Sequence, residues 1–365
     1  MTIQHRVTES GRGAGRPSRG RRRSRRSVLT GGLLTLALLA AACTSESAGE
    51  TAPATSSTEA PATTTSVVPS TADLLRDGSG TTAAPLREAE PPGDLPPAAL
   101  VVNPEGAGVH DLVTGDTIDL AEPPALEIGQ SPDEAGRYTS GDLAADQTLY
   151  LALREPTGRQ IVERHDLDGT VATVAEGSAP AVSPSGDRLA LAGPEGELVI
   201  LDNLTSESGS IIPVPGSIVE SVAWEPGGER VAVGWFDGVD RGVAVVEVAG
   251  TEPGEVKDLV RGRDASWMDP EWTSTGRLAV VDQELVPDAT SVTGWRVDQP
   301  SLVLAVDVST GRTSPLFEMP DGVARIDAGP DGRLLGVLTL TGDLWWAADG
   351  EGGLLVADGW SFFRW

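Results

Sequence analysis

Cysteine and lysine are almost missing from this sequence: Cys43 and Lys257 are the only ones among 365 residues. One cysteine excludes an intrachain disulfide, so the fold has to be held by packing. Histidine occurs three times, and only His110 and His165 lie beyond the N-terminal leader. Neither has a spaced His or Cys partner, which argues against a zinc or iron site and leaves both as structural residues. No Gly-x-Ser-x-Gly, phosphate loop or dinucleotide fingerprint occurs, so no catalytic residue, metal or cofactor is expected. Beyond the leader there is also no long helical period, which speaks against helical and α/β classes.

Positive charge is scarce outside the N-terminus. The first 42 residues carry nine arginines and one acid, Glu9, so residues 43–365 hold 18 basic against 53 acidic side chains, a formal charge of −35. So acidic a body repels phosphate backbones, and no nucleic-acid partner is expected. The acidity itself reads as a solubilising surface.

The leader has three parts: a basic, glycine-rich stretch from Gly11 to Arg26, an apolar run from Val28 to Ala42, and Cys43. A 15-residue run, at about 1.5 Å per residue, falls short of a hydrocarbon core about 30 Å thick, so it reads as a signal peptide over 1–42 and not as a permanent span. Ser24-Arg25-Arg26-Ser27-Val28-Leu29 resembles a twin-arginine export motif, with Arg25 and Arg26 as its pair. Leu39-Ala40-Ala41-Ala42-Cys43 resembles a bacterial lipobox. That resemblance implies a Cys43 whose thiol is lipidated, placing the chain on the outer face of the cell membrane.

Residues 43–97 read as a tether. Thr51–Ser70 is nearly all Thr, Ala, Pro, Ser and Val, a composition that buries too little surface to fold.

The body, 98–365, repeats itself. Ala181-Val182-Ser183-Pro184-Ser185-Gly186-Asp187-Arg188-Leu189-Ala190, Ala223-Trp224-Glu225-Pro226-Gly227-Gly228-Glu229-Arg230-Val231-Ala232, Glu271-Trp272-Thr273-Ser274-Thr275-Gly276-Arg277-Leu278-Ala279 and Asp327-Ala328-Gly329-Pro330-Asp331-Gly332-Arg333-Leu334-Leu335 share one plan: strand, tight Pro/Gly turn, Arg-led apolar strand. Their glycines stand 42, 48 and 56 residues apart. A fifth copy, Leu143–Leu153, keeps the pattern without the turn residues. Such a period, with further short strands between copies, predicts an all-β propeller. Blade starts fall near residues 360, 138, 179, 220, 270 and 323. That gives six blades, the last segment supplying the missing first strand of the N-terminal blade. The long segment 270–318 leaves room for a split seventh blade.

The Ser-Pro-x-Gly-x-Arg-Leu-Ala copies, best kept at Ser183–Ala192 and Trp224–Gly234, resemble the WD40-like repeat of TolB-type propellers. The resemblance implies a platform that binds protein or ligand, here an envelope protein or glycan. The alternative is a propeller enzyme of the lactonase or hydrolase kind, with a metal held by carboxylates in the central tunnel. His165-Asp166-Leu167-Asp168-Gly169 and Asp237-Gly238-Val239-Asp240 read as hairpin turns ahead of calcium loops. Nine tryptophans stand against two tyrosines and four phenylalanines. Trp224, Trp272 and Trp365 share one repeat position and read as inter-blade packing. Trp235, Trp267 and Trp295 lie nearer loops and are the candidate binding-surface aromatics.

Overall fold

In the computed structural model the described residues are 84–93, 95–103, 106–122, 136–202, 204, 209–216, 218–248, 254–263, 269–273, 276–287, 295–297, 299–329, 332–357 and 360–365. Cys43, Arg25, Arg26 and Trp267 lie outside them.

The strands follow the repeat. A short β1 (Arg87–Glu88) comes first. Blade I holds β2 (Ala98–Asn103), β3 (Gly106–Asp111) and β4 (Thr117–Ala121). Blade II holds β5 (Arg137–Leu143), β6 (Leu149–Arg154), β7 (Gln160–His165) and β8 (Val171–Glu176). Blade III runs through β9 (Ser178–Val182), β10 (Arg188–Ala192), β11 (Leu198–Asp202) and β12 (Gly209–Ile212). Blade IV runs through β13 (Ile218–Trp224), β14 (Arg230–Phe236), β15 (Asp240–Glu247) and β16 (Val256–Arg263). Blade V starts with β17 (Glu271–Trp272) and β18 (Arg277–Asp282), then detours through a hairpin of β19 (Leu285–Pro287) and β20 (Trp295–Val297). It resumes with β21 (Ser301–Asp307) and β22 (Thr313–Met319). Blade VI holds β23 (Val323–Ala328), β24 (Leu335–Thr339), β25 (Asp343–Ala348) and β26 (Glu351–Ala357). Finally β27 (Phe362–Arg364) pairs with β2 and completes blade I.

Each blade is thus built on four antiparallel strands, with β1 added in parallel to the outer edge of blade VI, and there are six blades. The extra length of the fifth segment is the β19–β20 hairpin and no seventh blade. The turns fold as their residues dictate. Gly186, Gly228, Gly276 and Gly332 take φ of 74°, 71°, 67° and 67°, a region that a side chain resists and glycine tolerates.

Six buried clusters hold the ring together, one at each seam between neighbouring blades. This explains why second strands such as Leu149-Tyr150-Leu151-Ala152-Leu153 are apolar throughout: both of their faces are covered. Trp224 and Trp272 sit in two of the seams, as their shared repeat position predicts. Each indole Nε1 donates to a carbonyl of the preceding blade, Trp224 to Ala181 (2.9 Å) and Trp272 to Ala223 (3.1 Å). Arg188 and Arg230, the leading arginines of the preceding repeats, stack over those rings at 4.8 Å.

The tether region differs from its sequence reading at its end. Residues 84–89, read as linker, run along the outer edges of blades V and VI: the Glu318 amide of β22 donates to the Ala84 carbonyl (3.1 Å) and Pro85 bridges Glu318 in parallel. On blade VI, β1 pairs in parallel with β26, and the Ala89 amide donates to the Gly352 carbonyl. Leu86 packs on the V–VI seam.

Candidate functional site

The innermost strands run along the central tunnel, and those of blades II to VI end at a turn. Counted back from the first residue of that turn, the position two residues before it holds Asp142, Ala181, Ala223, Glu271 and Asp327 in blades II to VI, and Arg364 holds the matching place in blade I. Two residues earlier in the chain come Ser221 and Arg325 in blades IV and VI, and Asp269 just ahead of β17 in blade V. Side chains two apart on a strand share a face, so these residues gather inside the ring although they are scattered over more than 200 positions in the chain.

The geometry is a closed network of charge. The Arg364 guanidinium reaches Asp142 Oδ1 at 3.3 Å, Glu271 Oε1 at 3.3 Å and Asp327 Oδ1 at 3.6 Å. Arg325 lies 3.6 Å from both Asp269 and Glu271. Three carboxylates also latch one blade to the next. Asp142 accepts from the Val182 amide (2.7 Å), Asp269 from Ile326 (3.0 Å) and Asp327 from Trp365 (2.6 Å). All four acids are buried.

Over this network sits a cavity of about 830 Å³, at the end of the tunnel where the first turns of the blades converge. Its floor is Asp142, Glu271, Asp327 and Arg364; Val182, Trp224, Trp272 and Trp365 wall it; the Pro184, Pro226 and Gly276 turns form its rim.

Burial sets the proton balance. It pushes the Glu271 carboxyl well above its ordinary range; Arg364 opposes the shift and Asp327 adds to it. Burial likewise raises Asp327 and Asp269, against the pull of Arg364 and Arg325. Burial works against the Arg364 charge too, but Asp142, Asp327, Glu271 and Asp269 outweigh it and hold the guanidinium more firmly protonated.

A raised carboxyl means that the folded chain keeps a proton the unfolded chain gives up. Its stabilising contribution is complete below the unfolded value, 4.5 for Glu271, and is lost as pH rises through the folded value, at about 1.4 kcal/mol per pH unit for one carboxyl. Between pH 5 and 9 the unfolding midpoint of the wild type is therefore expected to fall more steeply than that of Glu271→Gln, in which an amide stands for the protonated carboxyl. Parallel melting curves across that range would show that Glu271 does not hold the proton.

The residues singled out from sequence fare differently. Trp235, chosen as a surface aromatic, is 1% exposed and belongs to the III–IV seam, its Nε1 on Asp258 (3.3 Å). It borders a loop in sequence, but β14 carries it into a strand covered on both faces, so it offers no surface. Trp295 opens β20 in the inserted hairpin. His110 hydrogen-bonds Thr117 (2.9 Å) and packs edge-on against Trp360. His165 meets Glu163 (3.3 Å) and the edge of Tyr138. Asp166–Thr170 is a hairpin turn in which Asp168 caps the Thr170 amide, and Asp237 caps Val239 and Asp240 in the same way. Among the described residues no group of three His, Cys, Asp or Glu side chains is arranged to hold a metal ion. The buried network escaped the sequence reading; its signal was a charged residue at one shared repeat position, Asp142, Glu271, Asp327 and Arg364.

No family model matches the chain, and no curated protein does. Among solved structures it is similar to TolB from Acinetobacter baumannii, with a TM-score of 0.50 and 16% identity over 73% of this chain and 66% of that one. The chain therefore spans just under two thirds of that protein. A putative TolB from Agrobacterium tumefaciens matches with a TM-score of 0.50 and 14% identity, over 72% of this chain and 89% of that one. A chain of the nidogen/laminin complex matches with a TM-score of 0.52 and 9% identity, over 73% and 97%. At such identities the likeness is one of architecture: the chain is a six-bladed β-propeller, similar in fold to the two TolB structures.

Proposed function

We propose that this chain is a lipid-anchored, extracytoplasmic binding module that receives an envelope partner at its axial cavity and performs no chemistry on it. One observation carries the reading: a cavity large enough for several side chains, walled by tryptophan and floored by charge, lies where five inner turns converge with Trp365. Concave sites with apolar walls and a few placed polar groups are the usual form of recognition sites. The rival enzyme needs tunnel carboxylates open to an ion. Here a guanidinium occupies the centre of Asp142, Glu271 and Asp327, and a second stands beside Glu271 and Asp269. The lipobox-like Leu39–Cys43 and the Thr/Pro-rich stretch behind it supply the anchor and the reach.

The test places a photo-cross-linking residue at Ser185, on the turn beside the cavity rim, or at Asp168, on an outer turn of blade II. A defined adduct from Ser185, absent from Asp168 and lost in Cys43→Ser, is the expected result. Equal adducts from both positions, or none from Ser185, would sink the cavity as the binding face.

A further inference from the structure

The cavity is not uniform around its axis. Its charged floor comes from blades I, II, V and VI, which are contiguous around the ring, whereas blades III and IV present Ala181 and Ala223 at the same position. On that side Val182, Trp224 and Trp272 form the wall, with Ser183 and a Glu225 already paired to Arg230 beside them, and both indole N–H groups are taken by backbone carbonyls. One half is therefore mainly apolar, its one carboxylate neutralised, and the other charged.

The charged half does not balance. Among the described residues the ion pairs of Asp142, Asp269, Glu271 and Asp327 are with Arg325 and Arg364, so full ionisation leaves two negative charges unmatched. Buried charge is costly unless paired.

We infer that the cavity takes a long cationic side chain, a lysine or arginine of a partner peptide, with its stem on the Trp224 and Trp272 wall and its head over the net-negative floor that Arg364 shares with Asp142, Glu271 and Asp327. Aliphatic stems of these residues cover apolar surface while the head stays in polar surroundings, and the cavity offers both in the order such a side chain needs. The inference rests on the binding reading above and names its ligand class. Seating the cation supplies the missing charge. Glu271, faced by Arg325, Arg364, Asp142, Asp269 and Asp327, then releases its proton to solvent, so binding strengthens as pH rises.

The experiment titrates the full chain with the blocked pentapeptide Gly-Gly-Arg-Gly-Gly and with its citrulline counterpart, which has the same shape and no charge. Calorimetry runs in two buffers of different ionisation enthalpy. The arginine peptide is expected to bind at least about tenfold tighter than the citrulline one and to release protons, and Glu271→Gln to lose about tenfold of that affinity. The variant's melting curve at neutral pH checks that it folds. Equal affinity for the two peptides, or no binding of either, overturns the cationic ligand. The Ser185 adduct judges the binding face separately, so a captured partner together with indifferent peptides would leave the module standing and remove only its ligand class.

Discussion

Arg364→Met is expected to destabilise the propeller by about 3–5 kcal/mol, read as the shift in urea unfolding at neutral pH. The guanidinium is the common partner of Asp142, Glu271 and Asp327, and its side chain is only 17% exposed. Methionine fills similar volume and leaves three carboxylates facing one another across a tunnel that water reaches poorly. The cost therefore comes from orphaned charge and not from lost packing, and two controls separate these causes. At pH 5 the carboxylates relieve the strain by taking up protons, so the penalty should shrink. Arg159→Met, which removes an exposed pair with Glu176, should change stability by about 0–1 kcal/mol at either pH. An Arg364→Met penalty that does not change with pH would mean that the network contributes by packing alone.

How far this could be foreseen differs between the ring and its centre. Blade starts near 360, 138, 179, 220, 270 and 323 follow from the turns, and the innermost strands begin within about two residues of each. A Pro/Gly turn acts locally: it bends the chain wherever it stands, whatever lies across the molecule. The network has no such local signature. Arg364 and Asp142 are neighbours only because the ring closes, and nothing on either strand alone pairs one with the other. Aligning the repeats at the turn would have shown arginine and three acids at one shared position. Trp235 misled for the opposite reason. Its neighbours Phe236 and Asp237 look like a loop entry, yet Trp235 pairs with Val219 on one side and Gly242 on the other, and only the sheet shows that. The segment 84–89 has a linker's composition, and a few backbone pairings with β22 and β26 place it.

Closure of the ring leads to the second large effect. Phe363→Ala is expected to cost about 3–5 kcal/mol, and its damage should be confined to one seam. Phe363 is 0% exposed and packs with Ala99, Val101, Leu338, Leu344 and Trp360 between blades VI and I. Its strand, β27, is the inner partner of β2 through Leu100, Val101 and Val102. The Ser361 hydroxyl adds a bond to the Val102 carbonyl across 259 residues of chain. No other seam depends on so short a strand arriving from so far along the sequence, so loosening it frees the inner edge of blade I while blades III and IV keep theirs. Amide hydrogen exchange should then rise in β2 and β27 before it rises in β10 or β14. Gly336→Ala approaches the same seam from the other side. A methyl group there runs into the rings of Trp365 and Phe363, an overpacking cost of about 1–3 kcal/mol that removes no atom from the core. If both variants raise exchange at β2 first, the seam between blades VI and I is where the ring opens. If exchange rises evenly over all six blades, the propeller unfolds as one unit and β27 is no weaker a closure than any other strand.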